Sequence, residues 1–191
     1  MGIQNKLDLI LKGMNDSSDP SACQVFFRPS FGRGGGANFG ELDFIILSKN
    51  CLYLGESKWD RSSERLRDGV LELRDNQKLR HRIFKFYVEQ WAFGGYSSWL
   101  EFADKARLEL ESGVTKPLAS ENSRLATNLQ TVLGIIKKHY TSMPAIRNVL
   151  LYLHDGKPVE QLPQRASEGF ELVLIDYSEA DTLDNFIRIE V

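Results

Sequence analysis

Cysteine is scarce: the 191-residue chain has two, Cys23 and Cys51, with no CxxC pair and no Cys/His cluster. That excludes a disulfide scaffold and a structural zinc site of the usual spacing, and it points to a reducing compartment. Charge of one sign is also missing, because 24 Lys plus Arg stand against 26 Asp plus Glu for a net charge of -2. No bulk basic field draws in polyanions, so any such binding must rest on a local patch. Long apolar runs are absent too. Phe44-Ile45-Ile46-Leu47 and Val149-Leu150-Leu151 fall far short of the about 20 residues that span a bilayer. The first residues carry no basic stretch ahead of an apolar core, and Lys6 stands where a myristoylation motif needs Ser or Thr. A soluble, cytoplasmic protein without membrane partners is the expectation. With no repeat and no low-complexity tract, residues 1–191 read as a single globular domain.

Apolar periodicity orders the chain. Ile3, Leu7, Ile10, Leu11 and Met14 mark one face of a short first helix, ended by Asp16-Ser17-Ser18-Asp19-Pro20. Cys23 to Arg28 reads as a strand and precedes a glycine-dense loop from Phe31 to Gly40. Glu41 to Leu47 and Cys51 to Trp59 then form a hairpin turning at Lys49-Asn50. From Arg61 the spacing of Leu66, Val70, Leu73, Phe84, Val88 and Trp91 predicts one long helix fading at Gly94-Gly95. Helical stretches at about 97–111 and 120–139 form an insertion at about 95–140. Strands return at Ile146 to Leu153 and Phe170 to Tyr177, with an edge strand at Phe186 to Val191. The expected fold is α/β: a central mixed sheet flanked by helices.

A two-residue turn at Lys49-Asn50 pairs Leu47 with Leu52, Ile45 with Leu54, Asp43 with Glu56 and Glu41 with Lys58. Strand alternation puts these pairs on one face, apolar near the turn and ionisable at the far end. Directly opposed carboxylates repel. Either the strands fray there into water, with Glu41 and Lys58 as a minor ion pair, or a divalent cation sits between the acids. A hard ion such as Mg²⁺ takes oxygen ligands and keeps several waters, leaving room for a phosphate. An ammonium at Lys58, about 6 to 7 Å along the strand from Glu56, reaches an attacking water or a scissile phosphate.

Asp43 followed thirteen residues later by Glu56-Ser57-Lys58, on a hairpin after one helix and one strand, resembles the PD-(D/E)XK nuclease superfamily. The likeness covers about Met1 to Trp91 in element order, and its motif is three residues long. It implies a restriction-endonuclease-like core carrying the helical insertion. It also implies Asp43 and Glu56 as ligands of Mg²⁺ or Mn²⁺, the Ser57 carbonyl as a further ligand, and Lys58 as the residue that positions or activates water. Leu42 stands where the motif has proline, and Ser57 is polar where the middle residue is often apolar.

The following helix adds Gln77, which falls on the apolar stripe where an unpartnered amide is costly. Gln77 either faces the site, as a glutamine does in some branches of the superfamily, or turns to solvent. Asp8 and Glu41 are candidate additional acids, although Asp8 reads better as a solvated surface residue. Lys78, Arg80, His81, Arg82 and Lys85 form an acid-free basic segment that, with Arg28 and Arg33, can track a phosphate backbone. Earlier basic residues are offset by Asp60, Glu64, Asp68, Glu72 and Asp75. Gly32-Arg33-Gly34-Gly35-Gly36-Ala37 matches a dinucleotide fingerprint, but a strand follows it where that site needs a helix. Trp59, Trp91 and Trp99 suit base stacking or packing. His154-Asp155 reads as a turn after a strand. The expected function is a metal-dependent phosphodiesterase acting on nucleic acid, DNA ahead of RNA. The alternative is an inactive nucleic-acid- or protein-binding module on the same fold. A homodimer is compatible with the sequence.

Overall fold

The computed structural model describes residues 6–31, 40–60, 65–106, 108–109, 115–116, 118–178, 182–183 and 186–187. Arg33, the rest of the glycine-dense segment at 32–39, Ile3, Arg61 and residues 188–191 lie outside them. The chain forms two compact units, one of residues 1–27, 43–74 and 147–191, the other of residues 28–42 and 75–146. Among the described residues no helix is long and apolar enough to cross a membrane.

The first unit holds a mixed five-stranded sheet of β1 (Gln24–Phe27), β2 (Phe44–Leu47), β3 (Cys51–Trp59), β8 (Ala145–His154) and β10 (Glu171–Asp176), in that spatial order. β1 with β2 and β2 with β3 are antiparallel, and β8 with β10 is parallel. Helix α1 (Leu7–Gly13) buries Leu7, Ile10 and Leu11 against Phe44, Ile46, Tyr53, Val149, Leu151, Val173 and Ile175. Asn15, at φ 55°, ends α1 in the left-handed region that Asn tolerates. One polar network ties this layer together. The Arg147 guanidinium pairs with Glu171, donates to the Tyr53 hydroxyl at 3.1 Å and to the Met14 carbonyl at 3.0 Å. Tyr53 in turn donates to Asp16 at 2.7 Å. Burial pushes the Asp16 carboxyl up, but hydrogen bonds from Ser18, Tyr53 and Ser48 outweigh it and hold the group at about 2.

The long helix expected from Arg61 does not form. Residues Arg65–Arg67 (β4) and Val70–Glu72 (β5) are an antiparallel hairpin, and β5 pairs in parallel with β9 (Arg165–Ala166). The cause is Asp68-Gly69, whose φ values of 52° and 74° suit the two-residue turn that an Asp-Gly pair favours. Leu71 and Leu73 therefore pack with Leu150 and Tyr152 on the sheet face opposite α1. Phe186–Ile187 (β12) pairs with Thr182–Leu183 (β11) instead of with an edge of the main sheet.

The second unit is helical: α2 (Asp75–Tyr87) running into a π turn at Val88–Ala92, α3 (Trp99–Lys105) and α4 (Arg124–His139). A short ladder joins β6 (Leu108–Glu109) to β7 (Thr115–Lys116). Ser98 and Ser123 cap α3 and α4 by accepting from the Glu101 and Ala126 amides. Tyr87 stacks on Trp99 with centroids 5.8 Å apart, and Trp99 donates to the Ala119 carbonyl at 2.7 Å. α4 buries Leu125, Leu129, Leu133 and Ile136, the face its sequence period marks.

Candidate functional site

β2 and β3 meet in the register that the Lys49-Asn50 turn dictates, from Leu47 with Leu52 to Phe44 with Gly55. The Ser48 amide closes it on the Cys51 carbonyl at 3.0 Å. Gly55 is required here, because a Cβ at that position would lie 1.8 Å from the Phe44 ring across the ladder.

Beyond this pair the structure departs from strict alternation. The Asp43 amide donates to the Gly55 carbonyl at 3.1 Å, one residue out of register, and β2 begins only at Phe44. The direct opposition of Asp43 and Glu56 is therefore not continued by the ladder. Instead the Asp43 carboxylate takes the Ser57 amide at 2.8 Å and the Ser57 hydroxyl at 3.1 Å, both on Oδ2. An edge N–H that lacks a strand partner needs such an acceptor, and a side-chain carboxylate serves as one. Asp43 is thus clasped to the residue after Glu56.

Glu56 is buried, with 1% of its surface exposed. Lys58 is half-buried, and its ammonium has no ion pair or hydrogen bond among the described residues. Low dielectric around Glu56 strengthens its attraction for any cation brought to it. Among the described residues no three His, Cys, Asp or Glu side chains cluster to hold a metal ion. The candidate donors are then the Asp43 and Glu56 carboxylates and backbone oxygens. Such a set would suit a hard ion that keeps much of its water better than zinc, which takes about four protein ligands in a structural site and three in a catalytic one.

No family model matches the chain, and searches of curated proteins and of solved structures return no match. The functional reading rests on the residues themselves.

Asp8 is exposed in the first turn of α1, as a solvated surface residue would be. The other candidates belong to the second unit. Glu41 is ion-paired with Arg28 at 3.2 Å and bridges to Ser30. Arg80 is not a free member of the basic segment, because its guanidinium donates to the Glu41 carbonyl. Gln77 and His81 are buried on α2 with Ile83 and Phe84, so the amide does lie on the apolar face. It begins that face in the first turn of α2, since the hairpin removes Leu66 and Val70 from the stripe. Lys78, Arg82 and Lys85 follow one another at helical spacing, Arg82 and Lys85 exposed, and Lys85 lies 3.7 Å from Glu89.

Sequence reasoning missed the cluster at the carboxyl ends of β3, β8 and β10. The Asp60 amide donates to the Leu153 carbonyl at 2.9 Å, and Asp60 Oδ2 accepts from the Asp155 amide at 3.1 Å. Lys157 Nζ lies 3.2 Å from both the Asp60 carbonyl and the Tyr152 hydroxyl. His154, expected in a turn, is the buried last residue of β8, with Nδ1 3.9 Å from Asp176. The signal was available: Leu150, Tyr152 and His154 alternate along β8 and turn polar at the same end as Glu56 and Lys58 on β3.

Proposed function

We propose that the chain is a metal-dependent nuclease of the PD-(D/E)XK type, hydrolysing phosphodiester bonds of nucleic acid, DNA ahead of RNA. The observation that carries this reading is the far end of one hairpin, where Asp43 is clasped to Ser57 between a buried Glu56 and a half-buried Lys58. Asp43 Oδ1, the Glu56 carboxylate and the Ser57 carbonyl would hold Mg²⁺ or Mn²⁺. That ion, when bound, supplies positive charge against the phosphate and lowers the pKa of water. Lys58 orients the attacking water and offsets charge that develops on the phosphate oxygens. Ser57 fixes Asp43 by two hydrogen bonds, so the acid is set before substrate arrives. Lys78, Arg82 and Lys85 supply a short basic strip for the phosphate backbone. A cytoplasmic setting agrees with the unbridged state of Cys23 and Cys51.

The test is incubation of the purified chain with single-stranded, duplex and branched DNA and with RNA, in Mg²⁺ or Mn²⁺ against EDTA. Cleavage of at least one substrate only with metal is the expected result. Cleavage that survives EDTA removes the mechanism, and binding without cleavage favours a module that keeps the fold without turnover.

A further inference from the structure

His154 ends β8 with its side chain 8% exposed, and its Nδ1 is buried without a hydrogen-bond partner among the described residues. Asp176, the last residue of β10, brings Oδ1 to 3.9 Å from that nitrogen. The carboxylate is itself fixed. Its Oδ1 accepts the Ser178 amide at 2.9 Å and the Gly156 amide at 3.1 Å, and hydrogen bonds from Ser178 and Gly156 hold the Asp176 carboxyl below its ordinary value. Nε2 of the same imidazole is not sealed in this way, so one ring nitrogen turns to a carboxylate and the other outward. A buried nitrogen left unpaired is destabilising and asks for a role. Separations of this kind close to a hydrogen bond when substrate fills a site.

The imidazole shares a sheet face with Lys58. Tyr53 packs on α1, so alternation along β3 sends Glu56 and Lys58 from the opposite face. Tyr152 packs with Leu71 and Leu73 on that opposite face, and the His154 ring stacks on Tyr152 with centroids 6.3 Å apart. β3 and β8 are neighbours, and the bond from the Asp60 amide to the Leu153 carbonyl sets them parallel with Asp60 beside His154. Lys58 then stands beside Tyr152, and the Cα atoms of Lys58 and His154 lie about 8 Å apart on one surface. In-line displacement at phosphorus puts the attacking water and the leaving oxygen on opposite sides. Groups serving the two must therefore stand apart by a phosphate and a hydrogen bond on each flank. Side chains that rise in parallel from positions 58 and 154 meet that requirement.

We propose that His154 is the general acid of the hydrolysis and that Asp176 positions it. The proposal rests on the nuclease reading for the phosphate and for the water at Lys58. As the water oxygen bonds to phosphorus, the bond from phosphorus to the leaving oxygen breaks. Its electron pair stays on that oxygen, which takes the Nε2 proton of the His154 imidazolium. Asp176 accepts from Nδ1 and offsets the imidazolium charge. The attacking water gives up its proton to solvent, and solvent reprotonates the imidazole. Diester and water become phosphate monoester and alcohol.

The test uses the full chain, Mg²⁺ or Mn²⁺, and a nucleic acid that the wild type cuts. Product ends show which oxygen leaves, and the same strand is then made with sulfur at that position. A thiolate leaves without a proton, so it dispenses with a general acid. His154→Gln is expected to slow the oxygen strand about 100- to 10,000-fold and to cut the sulfur strand at nearly the wild-type rate. Asp176→Asn keeps an acceptor oxygen for the Ser178 and Gly156 amides, and is expected to show the same selectivity with a smaller loss. Equal slowing of both strands by His154→Gln, or no slowing, overturns the proposal. Should His154→Gln not fold, the same two results with Asp176→Asn overturn it. Metal-dependent cleavage indifferent to both variants removes the acid and spares the nuclease. A wild type that cuts no nucleic acid removes the nuclease reading and the acid with it.

Discussion

Asp43 carries two loads, and substitution can separate them. Its carboxylate accepts the Ser57 amide and hydroxyl at the point where β3 loses its strand partner. Hydrogen bonds to a charged acceptor contribute about 1.5–3 kcal/mol, and water reaches half-buried Ser57 to replace part of them. Asp43→Ala should therefore cost about 1.5–3 kcal/mol in EDTA, a fall of about 3–12 °C in Tm for a chain of this size. Asp43→Asn keeps a carbonyl oxygen for the Ser57 amide and relieves repulsion from nearby Glu56. It should lie within about 1 kcal/mol of wild type. Metal binding reverses the ranking. An ion present at about 100 times its Kd stabilises the wild type by about 2.7 kcal/mol, a rise of about 5–11 °C, and both variants should lose most of it. Thermal melts of the three proteins in EDTA and in millimolar Mg²⁺ or Mn²⁺ read all these quantities without a substrate. A wild type with no metal shift, together with Asp43→Asn as unstable as Asp43→Ala, would make Asp43 a structural acceptor and refute its role as a ligand.

Lys58→Ala should abolish turnover on a cleavable substrate while leaving the metal-induced Tm rise intact, because an ammonium is not a ligand; a variant at wild-type rate would remove Lys58 from the chemistry. Charge removal at Lys78, Arg82 and Lys85 should flatten the salt dependence of nucleic-acid binding by about 0.7 to 0.9 in log–log slope per lost phosphate contact, and an unchanged slope would place the contacts elsewhere. Gly55→Ala should cost about 3 kcal/mol or lead to misfolding, since its Cβ meets the Phe44 ring; an ordinary melt would show that the ring has room to move. Asp16 sits at about 2 against an ordinary 3.8, so its stabilisation is complete above about pH 4 and lost as the pH falls through 2. After discounting for solvent screening that is about 1 kcal/mol. Urea melts of wild type and Asp16→Asn should converge by this amount between pH 5 and 2, and a constant gap would refute the assignment.

The hairpin that bears the site was legible because its determinants are local. A two-residue turn fixes the register from Leu47 with Leu52 to Phe44 with Gly55, and β3 runs from Cys51 to Trp59 as its run of strand-forming residues indicates. The stretch from Arg65 to Glu72 was misread because Leu66, Val70 and Leu73 satisfy a helical period by coincidence. Asp68-Gly69 outweighs that period, since Gly adopts positive φ without a Cβ clash and Asp tolerates it. Composition also hides burial and backbone contacts. Arg80 and Arg82 look alike in a basic run, yet one is half-buried and anchors the Glu41 carbonyl while the other is exposed on the helix. Helical spacing separates Lys78, Arg82 and Lys85 from the face of Gln77, His81 and Phe84, but it does not reveal the carbonyl that Arg80 meets.

The sequence placed an acid at 43 opposite an acid at 56 and left repulsion as the puzzle. The structure answers part of it without a metal. A one-residue slip takes Asp43 out of the ladder, and the amide that the slip strands at Ser57 becomes its partner. The same slip leaves Glu56 to Trp59 without a β2 ladder, so that the buried acid, the lysine and the exposed indole all lie on the segment of β3 that β2 does not cover. Completing the ladder would satisfy the Ser57 amide with a backbone carbonyl and release Asp43 from it. It would also restore the like-charge opposition. What looks like an interrupted hairpin is therefore the arrangement in which one carboxylate can finish the fold and still offer its second oxygen to a cation.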